Sequence, residues 1–238
     1  MNPLNETRLE ELFGLVPIHS RARVTDIGCG KGEMLIRLAE KNEIKGVGID
    51  KSPYCIQEAE EKKRERVPQA ELQFLEMDGA EYHPKPEESE DLTMCIGASW
   101  IYGGYKKTLK AISRMTRKSG HVMVGEPFWR KTPTRAYLRR EKMSQNLFST
   151  HHGNVMIGEK LGLELIYSLV STEPDWDKYE GLHWYSAREY ADSHPDDPDV
   201  KDILARNSKA RESYLKYQRD ILGWAVYLFQ KTSPSQEG

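Results

Sequence analysis

The sequence predicts a doubly wound α/β fold with a mostly parallel sheet, on three observations. Short β-rich runs alternate with amphipathic helical stretches from Arg23 to Gly125, the rhythm that builds βαβ units with helices on both faces of a sheet. A glycine-rich turn, Gly28-Cys29-Gly30-Lys31-Gly32, follows the first β-rich run and opens the first helical one. An acid, Asp50, closes the next β-rich run about twenty residues further on.

The elements follow in order. RVTDI, ending at Ile27, is the first strand and a helix near Gly32 to Lys41 follows it. KGVGI is the second strand, and the helix near Pro53 to Arg66 has Pro53 in its first turn, where the missing N–H is not needed, and Pro68 beyond its end. ELQFL and DLTMCI are the third and fourth strands, separated by HPKPEESE, a polar surface connection. A helix near Lys106 to Arg117 leads to the fifth strand, HVMVG. Past Gly125 the rhythm changes: Pro133 to Leu147 and His152 to Leu161 read as helices, and Leu163 to Val170 as a sixth strand. Two charged amphipathic helices come next, Asp177 to Ser193 and Asp199 to Asp220, with Asp196 or Asp197 as cap of the second. GWAVYLF is a last, apolar strand. A single domain over 1–232 is expected, its core at about 20–171 and 221–231, its helical cover at about 132–161 and 174–220, and a disordered tail at 233–238.

Composition narrows the function. The chain has 238 residues, 38% of them hydrophobic, enough for a substantial core. With 35 basic and 37 acidic residues and a formal charge of -2, it carries no basic footprint of the kind that condenses on phosphate backbones, so nucleic acid is not an expected partner. There is no apolar run of about 18 residues, and the first eleven residues are polar and acidic, unlike a signal peptide. A soluble, cytoplasmic protein without a membrane partner is expected. Cys29, Cys55 and Cys95 are too few and too scattered for a disulfide framework or a closed zinc site, and no metal is expected.

The glycine turn carries the chemistry. Glycines at 28, 30 and 32 permit a tight turn with backbone close enough to touch a ligand and amide groups pointing outward at a helix start, and Asp50 stands where an acid accepts hydrogen bonds from a ribose diol. The spacing is Asp-x-Gly-x-Gly-x-Gly from Asp26, not G-x-G-x-x-G; a carboxylate at Asp26 suits a cationic amino acid moiety better than a pyrophosphate. These residues resemble the first motif of the class I S-adenosylmethionine-dependent methyltransferases. The likeness spans about Val24 to Gly125: Asp50 matches the family's ribose acid, Asp78-Gly79 the acid that faces the adenine, and Asp91 to Gly97 the fourth strand. It implies a Rossmann-like seven-stranded sheet with an antiparallel last strand, S-adenosyl-L-methionine as cofactor, and Asp26, Gly28, Gly30, Asp50, Lys51, Asp78, Gly79 and Ile96 around it. CIGASWIYGG, GEPFW, DWDKYEG and ILGWAVYLF further resemble a bacterial group of small-molecule methyltransferases.

In open α/β sheets ligands sit beyond the carboxyl ends of the strands. Ser99-Trp100-Ile101-Tyr102 and Glu126-Pro127-Phe128-Trp129 follow strands four and five there. Trp100, Tyr102, Phe128, Trp129 and Trp176 are therefore the expected substrate pocket, with Glu126 as catalytic base or substrate anchor; the other reading of Glu126 is a loop-fixing pair with Arg130 or Arg135. Trp184 and Tyr185 are expected to pack in the core, and His151 and His152 to be a helix cap and a surface residue. After the fourth strand there is no Asn/Asp-Pro-Pro-aromatic motif, which disfavours nucleic-acid or protein amide methylation, and no acidic cluster of the magnesium-dependent type. The partner is thus a small-molecule methyl acceptor and the protein a monomer or homodimer. An aminopropyl transferase and a non-catalytic cofactor-binding regulator are the alternatives.

Overall fold

The computed structural model describes residues 2–4, 6–84 and 89–232; the expected tail at 233–238 and part of the HPKPEESE connection lie outside them. Among the described residues seven strands form one sheet: β1 (Ala22–Ile27), β2 (Ile44–Asp50), β3 (Glu71–Glu76), β4 (Glu90–Ile96), β5 (Thr116–Trp129), β6 (Leu163–Val170) and β7 (Leu222–Lys231). Their spatial order is β3-β2-β1-β4-β5-β7-β6. β1 to β5 pair parallel, and β7 runs antiparallel between β5 and β6. The order reverses between β1 and β4, and a cleft at that switch point is where such sheets bind ligands.

Both faces of the sheet are covered, so its central strands are apolar on both sides. On β7, Trp224, Val226 and Leu228 join one core cluster while Ala225, Tyr227 and Phe229 join the other, as the two-residue strand period requires. The first cluster receives Leu12 and Phe13 from α1 (Glu6–Leu15) and Leu35, Ile36 and Leu38 from α2 (Glu33–Lys41), with α3 (Pro53–Arg66) beside them. The second receives Tyr105, Leu109, Ile112 and Met115 from α4 (Tyr105–Met115). α1 is absent from the sequence reading, although Leu9, Leu12, Phe13 and Val16 have helical spacing.

Other boundaries are corrected. β5 begins at Thr116, inside the helix expected to reach Arg117, and extends through Glu126, Phe128 and Trp129, which were expected in a loop. Pro127 argues against a strand from sequence, yet the ladder from His121–Gln230 to Trp129–Leu222 continues past it. The expected helix from Pro133 to Leu147 is α5 (Arg135–Glu141), stopped by Lys142 in a left-handed conformation (φ 53°), and a separate 3-10 turn, Gln145–Leu147. α6 (His151–Glu159) is capped by Thr150. α7 (Glu173–Ser193) starts four residues early because Thr172 and Asp175 form a capping box, with Pro174 in the first turn. α8 (Val200–Ser213) has Asp199 as its N-cap and gives way to a π-turn, Tyr214–Gln218, and α9 (Arg219–Ile221). Asp197 instead accepts the Asp199 amide at 2.8 Å. Among the described residues no helix is long and apolar enough to cross a membrane.

Candidate active site

The turn after β1 is a backbone structure. Gly28, Gly30 and Gly32 have φ of 71°, 52° and 71°, where L side chains are strained. A β-carbon at Gly28 would lie 2.6 Å from that of Ala98, and one at Gly32 would lie 2.7 Å from the Phe74 ring. At Gly30 no atom comes within 4 Å of that position, so the turn is open above it. Asp50, at the end of β2, accepts the Gly30 amide and the Ser52 amide, both at 2.9 Å, which ties the acid to the turn; the Gly28 and Gly32 amides donate to Ile49 O and Cys29 O, so the glycine amides expected to point outward to a ligand are engaged within the protein. Lys51 is exposed, its ammonium 5.5 Å from the centre of the Trp100 ring.

Asp78 is exposed and accepts the Ala80 amide at 2.9 Å. Gly79 is buried against Ile27, where a β-carbon would approach to 2.7 Å. Ile96 closes β4, and Gly97 after it has φ 73° and donates its N–H to Gly125 O. Asp26 is buried and its Oδ1 has no partner. Burial, reinforced by the charge of Asp50, pushes its carboxyl up to about 7. A buried carboxyl with one unpartnered oxygen, beside a second acid and an open turn, is a setting for a cationic ligand.

Beyond the carboxyl ends of β4 and β5 lies a cavity of about 610 Å³, within the range of small-molecule sites. Trp100, Phe148, Trp176, Tyr179 and Trp224 line it with Ser99 and Glu126. Glu126 is 3% exposed, hydrogen-bonds the Ser99 side chain and leaves Oε2 without a partner. Burial pushes its carboxyl up to about 7 against the opposing effect of Ser99. Arg130 donates to Ser171 O at 2.8 Å, so the loop-fixing pair of the alternative reading is not formed between it and Glu126.

Of the expected pocket residues, Trp100 and Trp176 line the cavity and three do not. Tyr102 donates its hydroxyl to Gly79 O at 2.9 Å, fastening the turn after β4 to the turn after β3. Phe128, held in the β5 ladder, packs over Gly223 and lies 5.0 Å from the His151 ring. Trp129 packs against Tyr137 and Phe148 and donates Nε1 to Gln145 O at 2.8 Å. Trp224 and Phe148 were missed as lining residues. Trp224 carried no local signal, because only the antiparallel β5–β7 pairing, Pro127 opposite Trp224, brings it to the cavity.

Trp184 packs near Tyr214 as expected, but Tyr185 is 66% exposed, contrary to expectation. His151 is no cap: its Nδ1 is 3.0 Å from the Tyr227 hydroxyl, its ring stacks on Tyr227, and burial lowers its pKa. His152 is exposed. Cys29 and Cys95 are buried and burial pushes both thiols far up, away from reactivity.

Residues 24–120 match the methyltransferase domain family. The chain is 28% identical to the protein YjhP of Escherichia coli (strain K12) over 228 residues, 95% of this chain and 91% of that one. Two crystal structures of S-adenosylmethionine-dependent methyltransferases in complex with S-adenosyl-L-homocysteine superpose closely. That from Geobacter sulfurreducens has a TM-score of 0.89 and 29% identity, covering 96% of this chain and 92% of its own. That from Thiobacillus denitrificans has a TM-score of 0.88 and 30% identity, covering 96% and 92%. The residues present fit an S-adenosyl cofactor: an open glycine turn at Gly30, Asp50 beside it, and the unpartnered Oδ1 of the buried Asp26. The strand order, the turn and these relatives agree, and the chain belongs to the class I S-adenosylmethionine-dependent methyltransferases.

Proposed function

We propose that the protein methylates a small molecule held in the aromatic-lined cavity, with Glu126 as the acceptor's base or anchor. The observation that carries this reading is the buried Glu126 carboxyl, titrating at about 7 and half unpartnered, on the wall of a cavity that opens at the carboxyl ends of β4 and β5. A general base works best with a pKa near the operating pH.

The backbone of Gly28, Gly30 and Ile96 would hold the cofactor, with Asp50 on the ribose hydroxyls, Asp78 and Gly79 toward the adenine, and Asp26 and Lys51 toward the amino acid end. When bound, the cofactor supplies a methyl carbon made electrophilic by a cationic sulfur. The cavity walls then align the acceptor for in-line attack and exclude water, which contributes much of the acceleration in such displacements. Glu126 accepts the acceptor's proton or fixes its position. Three free cysteines suit a reducing compartment, in keeping with a reaction in the cytoplasm.

Calorimetric titration with S-adenosyl-L-homocysteine, on the wild type and on Asp50→Ala, tests the cofactor half. Incubation of the protein with methyl-labelled cofactor and a small-molecule extract, followed by mass spectrometry, tests the acceptor half. Micromolar binding weakened in the variant and a labelled small molecule are expected. Label found only in protein or nucleic acid would overturn the small-molecule reading.

A further inference from the structure

The cavity wall has a one-sided chemistry. Rings from the turn after β4 (Trp100), the segment before α6 (Phe148), α7 (Trp176, Tyr179) and β7 (Trp224) meet there. Among the described lining residues there is no Lys, Arg or His, and the carboxyl of Glu126 is the one acid. Basic side chains stand beside the wall and not in it: Lys51 lies 5.5 Å from the centre of the Trp100 ring, Lys107 Nζ 3.4 Å from where a Gly103 β-carbon would sit, and the His183 ring 4.5 Å from that of Tyr179. Inside the cavity a carboxylate or phosphate acceptor would meet the Glu126 carboxyl and ring faces and no lining cation, an arrangement that disfavours an anion there. An ammonium group meets the opposite situation, since indole and phenol rings attract cations and Glu126 offers an unpartnered oxygen.

We infer that the methyl acceptor is an amine: a small, largely apolar molecule whose nitrogen is held by Glu126 within the aromatic wall. This rests on the methyltransferase reading and deepens it. The Glu126 carboxylate takes one proton from the bound ammonium and becomes the neutral acid, leaving a free amine. The nitrogen lone pair forms the new N–C bond to the methyl carbon while the C–S bond breaks and its electron pair stays on sulfur. The products are S-adenosyl-L-homocysteine and an N-methylammonium ion, and Glu126 returns its proton to solvent.

The test uses the full chain saturated with S-adenosyl-L-homocysteine and three matched probes: 2-phenylethylamine, 2-phenylethanol and 3-phenylpropanoate. Binding is read by calorimetry and by tryptophan fluorescence. The amine is expected to bind about tenfold or more tighter than the alcohol, with the carboxylate weakest. Glu126→Gln is expected to abolish that preference while the alcohol and S-adenosyl-L-homocysteine bind as before, which also shows that the variant is folded. An alcohol or carboxylate that binds as tightly as the amine, an amine preference that survives Glu126→Gln, or no amine binding at about 10 mM overturns the proposal. Failure of S-adenosyl-L-homocysteine itself to bind sinks the methyltransferase reading, whereas its binding beside a carboxylate-preferring cavity sinks the amine alone.

Discussion

Between Ile27 and Asp50 the site is made by residues close together in sequence; between Gly97 and Trp224 it is made by residues that only the sheet brings together. On the first side the working parts are backbone: three glycines at positive φ, two amides on Ile49 O, and Asp50 holding the turn. On the second they are side chains from the turn after β4, from β5, α7 and β7, with Glu126 and the rings facing one cavity. Under the proposed function, the contrast separates a cofactor grip made of backbone from an acceptor pocket made of side chains. A backbone grip is specified by short-range steric rules, and a side-chain pocket by packing that a few substitutions can remodel.

That contrast predicts a clean division of effects. The largest is expected for Glu126→Gln, which should lower kcat by about two orders of magnitude or more while leaving S-adenosyl-L-homocysteine affinity within about twofold. Steady-state kinetics on the identified acceptor and calorimetry check the two halves, and loss of both together would erase the division. The kcat/KM of the wild type should climb as pH rises toward about 7, where Glu126 and, on the cofactor side, Asp26 ionise, and level off above it; Asp26→Asn should leave the Glu126 limb in place. Around Glu126 the Ser99 side chain opposes the upward shift. Cys95, Tyr105 and Tyr227 are all pushed up and stay neutral in that window, and His151 titrates on the acid side.

Next in size, Asp50→Ala should weaken S-adenosyl-L-homocysteine by about 10- to 100-fold, the worth of one or two charge-assisted hydrogen bonds. Gly32→Ala places a methyl against Phe74 at a left-handed φ, and should cost about 1–2 kcal/mol or more, seen as a lower thermal midpoint.

The ligand-free protein should also lose stability as pH rises from about 4 to about 7. Asp26 and Glu126 have folded-state pKa values raised to about 7, so their contribution is complete below the ordinary carboxylate range and is lost as pH passes through about 7. A tenfold difference in proton affinity between the folded and unfolded chain corresponds to about 1.4 kcal/mol. Thermal melts from about pH 4.5 to 8 check it, and Asp26→Asn should flatten the slope. The smallest effect is expected for Tyr185→Ala, an exposed position, with kcat, KM and melting unchanged; Trp176→Ala should instead raise the acceptor's KM several-fold, since it removes a ring from the cavity wall.

The sequence by itself determined the alternation of strands and helices, the glycine turn with Asp26, and the position of Asp50, because each is written in short-range patterns of period, turn chemistry and spacing. It also placed Trp100, Trp176 and Glu126 among the residues to inspect, since the carboxyl ends of parallel strands are where such sheets are open. Only the tertiary structure decided that Phe128 and Trp129 serve the core and that Tyr102 fastens Gly79, because β5 continues past Pro127 on hydrogen bonds supplied by β7. The same pairing brought Trp224 to the cavity, a contact between residues almost one hundred positions apart that no local pattern encodes. The Glu126 carboxyl was legible as an acid in the right place; its titration near neutrality came from burial, which belongs to the packed molecule and not to the residue.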